Sequence, residues 1–344
     1  MIKNRVLHLL SDMPEKSAIY LTDPTDMYYY SGFDGEGAVV IAENKKLIIT
    51  DGRYTESALK KCAEFEVLPI SDLYKVLNEL NMPIIVQSDS LSYSEFIRLE
   101  KEGIEVKAKG GFDLLRAVKC DEEIKHLKKA AEIAEQVFEE VLLFIKQGKT
   151  EKETAAFIDY QMRVKGAEKS SFETICVSGK NTSLPHGVPT DKKFKNGEFI
   201  TLDFGCKVNG YCSDMTRTVA LGSVTDEMAN VYDVVLKAHQ KAVGAINPGA
   251  ICKEIDKIAR DYIKQNGYGE YFVHSLGHGV GLKIHENPVL SPKSQEVLKE
   301  GNVVTVEPGI YMPDKFGVRI ENTVLVTQKS AQSLQKSSKE LIIL

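Results

Sequence analysis

The stretch TLDFGCKVNGYCSDMTRTVALG, residues 201–222, carries Asp203 and Asp214 on the two arms of what reads as a β-hairpin turning at Asn209-Gly210. With Val208 opposite Tyr211, counting back along the arms sets Asp203 opposite Thr216 and Asp214 opposite Gly205. Thr216 and Asp214 are two residues apart, so the two aspartates become diagonal neighbours on one face. Buried carboxylates that close repel, and one must take a proton or a cation must sit between them. Read alone, a solvated hairpin face with ordinary surface charges accounts for the pair as well.

The second half of the chain repeats the theme. GNVVTVEPGIYM carries Glu307 in strand alternation with Val303 and Thr305, and GVRIENTVLV carries Glu321 on the same face as Arg319. HSLGHGVGLKIHE (274–286) sets His274, His278 and His285 among Gly277, Gly279 and Gly281, which permit close backbone approach and unusual dihedrals. The spacing is not H-E-x-x-H, so a single-zinc protease helix is not indicated, and no G-x-G-x-x-G follows a strand to suggest a dinucleotide site. Four carboxylates and one imidazole suit two divalent ions about 3.5 Å apart. Oxygen-rich ligation favours Mn²⁺, with Co²⁺ or Zn²⁺ as alternatives, over a thiolate-bound zinc. The chemistry expected is metal-assisted hydrolysis by an activated water.

The elements that must position these groups fall into two textures. Residues 1–115 alternate short strands (17–22, 37–42, 46–50, 83–88) with helical stretches such as 92–103, an α/β pattern. From Asp121 to Gly148 a long amphipathic helix is predicted, capped by Asp121 and closed by Gly148. Thr150 with Glu153 reads as a capping box opening a helix to 166. The change of texture between 116 and 120 places the domain boundary, giving domains 1–118 and 119–344. In the second, two helices lead to the hairpin at 199–220. Two more, at 226–246 and 251–266, lead to strands at 302–312 and 317–327. The order of elements recurs without a residue-level repeat.

Composition excludes several classes. The 344 residues are 43% hydrophobic and 27% charged with a net charge of −5, and no basic run invites nucleic acid. No apolar stretch approaches the ~18 residues of a membrane span, and residues 1–16 lack a signal-peptide pattern, so cytoplasm is the expected location. Six cysteines without a C-x-x-C read as buried reduced thiols, a Cys206–Cys212 disulfide being the lesser reading.

Together, SLPHGVPTDKKFKNGEFITLDFG, GYCSDMTRTVALG, HSLGHGVGLKIHENP, VVTVEPGIY and GVRIENTVLV resemble the pita-bread metallopeptidases, in particular their proline-directed branch of Xaa-Pro aminopeptidases and Xaa-Pro dipeptidases (prolidases). DMYYYSGF and ITDGRYTESA resemble segments of the small creatinase/prolidase-type N-terminal domain. Asp26 and Asn322 depart from the Asn and Asp common in relatives at those places. The resemblance implies an α/β (α+β) fold, the small domain followed by a pita-bread catalytic domain. It implies that Asp203 chelates one metal, that Asp214 and Glu321 bridge two, and that His278 and Glu307 bind the other. Glu307 would also handle the proton of the attacking water. His186 and His285 would hold the substrate and the tetrahedral intermediate, with His274, Tyr311 and Arg319 lining the pocket. Relatives are often dimers.

The expected activity is an Xaa-Pro aminopeptidase acting on short proline-containing peptides, with an Xaa-Pro dipeptidase as the alternative. Chain length and the compact GVRIEN segment lean towards the first. A methionine aminopeptidase usually lacks the N-terminal domain and an Arg at the place of Arg319. A metal-free creatinase-like amidinohydrolase, or a binding protein that lost its ligands, sits poorly with five intact donors.

Overall fold

The computed structural model describes residues 2–344, which divide into two compact units, one ending at Arg116 and the other running over Ala117–Leu344. In the first, the apolar runs become the middle of one six-stranded sheet. Its strands are β1 (Ala18–Leu21), β2 (Gly37–Ala42), β3 (Lys45–Thr50), β4 (Glu66–Pro69), β5 (Ile84–Gln87) and β6 (Val106–Lys109), in the order β4-β3-β2-β1-β5-β6. β4 and β6 escape the sequence reading because they are edge strands. Half-exposed EVLP and VKAK need no apolar run. The helices are α1 (Ile2–Ser11), α2 (Pro24–Ser31), α3 (Thr55–Lys61), α4 (Leu73–Glu79), α5 (Tyr93–Lys101) and α6 (Leu114–Ala117). Asp23 caps α2 by accepting from the amides of Thr25 and Asp26, Pro24 opens it, and Gly32 closes it at φ 78°. Asp26 is buried and ion-paired to Arg116, with Gln87 donating to its other oxygen.

The second unit begins with α7 (Asp121–Phe144) and α8 (Glu151–Val164). The cap of α7 is Cys120, whose amide donates to Glu123 (3.0 Å), and Asp121 is the first helical residue. The helix ends at Phe144, four residues short of Gly148, which instead turns at φ 91°. Thr150 and Glu153 form the reciprocal capping box of α8 as predicted.

Next come β7 (Lys169–Ser170), β8 (Ile175–Ser178), β9 (Glu198–Phe204), β10 (Cys206–Val208), β11 (Tyr211–Cys212) and β12 (Met215–Leu221). The predicted register holds along the hairpin, with Val208 opposite Tyr211 and Asp203 opposite Thr216. Asn209 (φ 48°) and Gly210 (φ 78°) make its turn. The arms are not continuous, however. They break at Gly205 and at Ser213-Asp214, so that β12-β9-β8 and β11-β10-β7 are separate sheets. A Cβ on Gly205 would run into the Ser213 carbonyl, so glycine is required at the break.

After α9 (Asp226–Ala245) and α10 (Cys252–Gln265) come β13 (Gly277–Gly279), β14 (Glu286–Leu290), β15 (Val303–Val306), β16 (Gly309–Met312), β17 (Phe316–Arg319), β18 (Asn322–Val326) and β19 (Ala331–Ser333). Here too the two long predicted strands break, at Glu307-Pro308 and at Ile320-Glu321. β15 pairs β18 in one sheet and β16 pairs β17 in another.

Alternation sorts the faces. Ile200, Leu202 and Phe204 pack with α7 and α8, and Val304, Val306, Val318 and Ile320 pack with α9 and α10. The residues between them, Asp203, Thr305, Arg319 and Glu321 included, therefore point away from the helices. All six cysteines are free thiols, five of them buried as expected and Cys120, at the start of α7, exposed; Cys206 donates to the Ala130 carbonyl rather than bonding Cys212. Among the described residues no helix is long and apolar enough to cross a membrane.

Glu151, at the start of α8, is fully buried and gathers the loops that follow. Its oxygens accept from the amide and hydroxyl of Ser178 (2.7 and 2.9 Å), from Asn181 Nδ2 (3.1 Å), and from the amide and hydroxyl of Thr190 (3.0 and 2.7 Å). Truncation strands those buried donors. Glu151→Ala is expected to lose about 3 kcal/mol of unfolding free energy in urea titrations. A loss below about 1 kcal/mol would mean that the loop carrying His186 is held by other contacts.

Candidate active site

The strand breaks bring the acids to one wall. Asp203 is the penultimate residue of β9, Asp214 immediately precedes β12, Glu307 follows β15 and Glu321 precedes β18. These four, with His278 from β13, line one cavity of about 600 Å³ together with His186, His274, His285 and Arg319. Tyr311 stands behind the wall rather than in it. Arg319 Nη1 donates to its hydroxyl (2.8 Å), and that hydroxyl lies 2.9 Å from His274 Nε2.

Each donor is held from its main chain. Glu321 donates its amide to the Thr216 carbonyl (3.1 Å), and its Oε2 accepts from Thr216 Oγ1 (2.7 Å). Glu307 donates its amide to Leu276 O (2.8 Å), and its Oε1 accepts from Thr305 Oγ1 (3.2 Å). That threonine also receives the amide of His278 (3.0 Å). His278 Nδ1 faces the Gly279 carbonyl at 3.0 Å. A carbonyl only accepts, so Nδ1 carries hydrogen and Nε2 is turned towards Glu307 Oε1 (3.3 Å) and Asp214 Oδ2 (3.6 Å). By the same logic Ser275 O fixes Nδ1–H on His274, so the Tyr311 hydroxyl donates to its Nε2. Burial lowers the His274 pKa, in keeping with a neutral ring.

The glycines of 277–281 act through close approach alone. None of the three has positive φ. A Cβ on Gly277 would meet the Thr305 carbonyl, on Gly279 the Asn287 carbonyl, and on Gly281 the Glu286 carboxylate.

Electrostatics at this wall are unbalanced. Burial, then the charges of Glu321, Asp203 and Glu307, raise the Asp214 pKa far above the usual carboxylate range. Burial, then Glu307 and Asp203, do the same to Glu321. Burial also lifts Asp203, against the charge and hydrogen bond of Arg319 (2.6 Å to Oδ2). Burial opposes ionisation of Glu307 as well, but His278 and Arg319 outweigh it and hold its pKa low. Burial opposes a charged His278, and Glu307 overrides it and lifts that pKa. His285, its ring 4.3 Å from that of His278, is pushed down by burial and by its neighbour's charge.

The wall fits divalent cations on two observations. Asp203 Oδ1 is buried with no hydrogen-bond partner. Asp214, His278 and Glu321 offer ligand atoms that all lie within 4.8 Å of one another. Sequence reasoning missed Thr216 and Thr305, the hydroxyls that orient the acids. The strand register, which set Thr216 opposite Asp203, was the available signal for the first.

A cradle of carboxylates and one imidazole at the meeting of two strand pairs, helices packed outside, defines a metal-dependent hydrolase. Residues 125–328 match metallopeptidase family M24 and residues 5–118 match the creatinase/prolidase N-terminal domain. The chain belongs to the M24 metallopeptidases. It is 40% identical to an Xaa-Pro dipeptidase of Pyrococcus furiosus, covering 99% of this chain and 100% of that one. Among solved structures it is similar to an Xaa-Pro dipeptidase from Bacillus anthracis (TM-score 0.97, 41% identity, 100% of both chains covered). It is also similar to an X-Pro aminopeptidase from Thermotoga maritima (TM-score 0.91, 37% identity, 99% and 100% covered).

Because its folded-state pKa is raised, Asp214 contributes stability below its unfolded value of about 3.9, and that stability is lost as pH rises through the folded value. In chelator-treated protein Asp214→Asn is therefore expected to raise Tm at pH 8 and to leave it near wild type at pH 4. The same variant should bind Mn²⁺ at least about 10-fold more weakly, since loss of outer-shell partners alone costs that much. A lower Tm at pH 8 with undiminished metal content would remove Asp214 from the metal cradle.

Proposed function

We propose that the protein is an Xaa-Pro dipeptidase, hydrolysing the bond before proline in short peptides with the help of two divalent ions, Mn²⁺ by preference. The observation that carries the reading is the cradle itself, Asp203, Asp214, His278, Glu307 and Glu321 on one cavity wall. The end-to-end likeness to the dipeptidases of Pyrococcus furiosus and Bacillus anthracis supplies the substrate class. It also removes chain length as a reason for preferring an aminopeptidase, because a dipeptidase matches this chain over its full length.

Bound divalent ions supply Lewis acidity, making a water nucleophilic near neutral pH and polarising the scissile carbonyl. Within that setting Glu307, held ionised, accepts the proton of the attacking water. His285 and His186 face the same cavity and donate to the developing oxyanion and to the leaving nitrogen. Arg319 fixes Asp203 and, through Pro185 O (3.1 Å), the loop bearing His186. The leaving nitrogen of an Xaa-Pro bond has no N–H of its own, so recognition rests on ring shape and on the carbonyl. Apolar cavity residues such as Phe172, Ile175, Val188 and Val289 suit a ring.

One observation favours the aminopeptidase reading. Arg319 is the only arginine or lysine among the described residues lining the cavity. Its guanidinium already serves Asp203, Tyr311, Pro185 and Thr216. A dipeptide's free carboxylate must then be received by imidazoles. The deciding experiment compares an Xaa-Pro dipeptide with an Xaa-Pro-Yaa tripeptide on protein reconstituted with Mn²⁺, Co²⁺ or Zn²⁺. The dipeptide should be preferred, and chelator should abolish turnover. Preference for the tripeptide would transfer the assignment to the aminopeptidase, and activity surviving chelation would overturn both. His285→Ala should retain metal and lose about 10²–10³ in kcat; unchanged turnover would remove it from the mechanism.

A further inference from the structure

Asp214 and Glu321, the acids read as shared between two ions, have to stand at ligand spacing before any cation arrives. What holds their main chains comes in large part from residues 333–338, which no sequence motif marks. Gln335 is buried, and its amide has one orientation. Oε1 accepts from the Thr323 amide (2.9 Å), so Nε2 faces and donates to the Asp214 carbonyl (2.8 Å). Thr323 Oγ1 donates to the same carbonyl (2.9 Å). On the other acid, Arg217 Nη1 donates to the main-chain carbonyls of Glu321 (2.5 Å) and Thr216 (2.9 Å). The rest of that buried guanidinium grips the same segment, Nε on Ser338 O (3.1 Å) and Nη2 on Ser337 O (3.3 Å) and Oγ (2.9 Å).

The segment is tied at both sides. Asn322, next to Glu321, donates its side-chain amide to Gln335 O (3.1 Å) and Ser333 Oγ (2.5 Å). Glu135 from α7 accepts the amides of Lys336 and Ser337. We propose that residues 333–338 form a positioning strap for the metal centre, with Gln335, its hydrogen-bond partner Thr323, and Arg217 as positioning residues that fix the spacing of Asp214 and Glu321 through their carbonyls. None of these strap groups lines the cavity. Their contribution is that the two acids stay at ligand spacing without a cation, so that binding does not have to draw them together.

The inference rests on the proposed metal centre and not on the substrate. Stripped wild type, Gln335→Met, Thr323→Val and Leu334→Ala are titrated with Mn²⁺ by calorimetry and electron paramagnetic resonance, with Tm recorded for each. Gln335→Met keeps volume and removes the amide. Thr323→Val removes the second donor to the same carbonyl and keeps the shape, so it decides alone should Gln335→Met fail to fold. Leu334 is buried beside Gln335 and makes no bond to either acid, so its truncation reports mere loosening of the segment. Gln335→Met and Thr323→Val should each raise the dissociation constant of the weaker Mn²⁺ site about 10-fold. Added Mn²⁺ should restore their turnover at unchanged KM. Leu334→Ala should lower Tm at least as much and bind Mn²⁺ as wild type does. Folded variants within about 2-fold of wild-type affinity, or equal weakening in Leu334→Ala, would overturn the strap. A wild type that binds no Mn²⁺ overturns the metal centre and the strap together. One that binds Mn²⁺ without cleaving Xaa-Pro peptides overturns only the substrate.

Discussion

Like-charge repulsion among four carboxylates on one buried wall is the constraint to which the rest of the catalytic unit answers. Among the described residues in contact with them, positive charge comes from Arg319 and, when it is protonated, from His278. Burial and their charged neighbours raise the pKa values of Asp214 and Glu321, which favours protons there. Such a wall is costly unless cations take the place of those protons. That cost explains why Arg319 is spent on Asp203. It also explains why Thr216 and Thr305, neutral hydroxyls with one proton to aim, stand beside the acids where further cations would compete with a metal.

The backbone meets the constraint by breaking its strands. In a regular ladder, same-face neighbours are held at fixed separations set by the pleat. Asp203, Asp214, Glu307 and Glu321 instead lie at or beside the points where four long arms pass from one sheet to another. Gly205 allows the first hairpin to cross itself at Ser213, and Pro308, which cannot donate to a ladder, accompanies the break after Glu307. Both halves use the device, which is why a similar order of elements recurs without similar residues. The helices seal the far faces through Leu202, Phe204, Val306 and Ile320, so that the broken side is free to be polar.

Much of this was legible in the sequence, for a definite reason. The Asn-Gly turn fixes a register, and a register fixes which side chains share a face, so Asp203 could be set against Thr216 by counting. Capping chemistry marked the start of α8. What could not be read depends on contacts far apart in the chain. The strand breaks leave hydrophobic alternation intact on both sides, so 302–312 and 317–327 read as single strands. Tyr311 is conspicuous in VEPGIYM, yet its hydroxyl serves Arg319 and His274 from behind the wall. Gln335 sits in a polar stretch that reads as surface, and only the fold brings it against Asp214, 121 residues away.

The position of Arg319 bears on selectivity in a way that composition alone would misstate. An arginine in a peptidase cavity invites the reading that it receives the substrate's carboxylate. Here its Nη2 is on Asp203 and its Nη1 is divided between Tyr311 and Pro185. Any carboxylate that drew it away would leave Asp203 without its counter-charge beside three other acids. Substrate recognition that depended on Arg319 would thus weaken the cation cradle at the moment of binding. A site under this constraint is better served by exposed imidazoles at its mouth, and His186 and His285 occupy that place on the cavity wall. They can meet either a free carboxylate or the next peptide carbonyl. In both cases the guanidinium keeps its structural duty on Asp203.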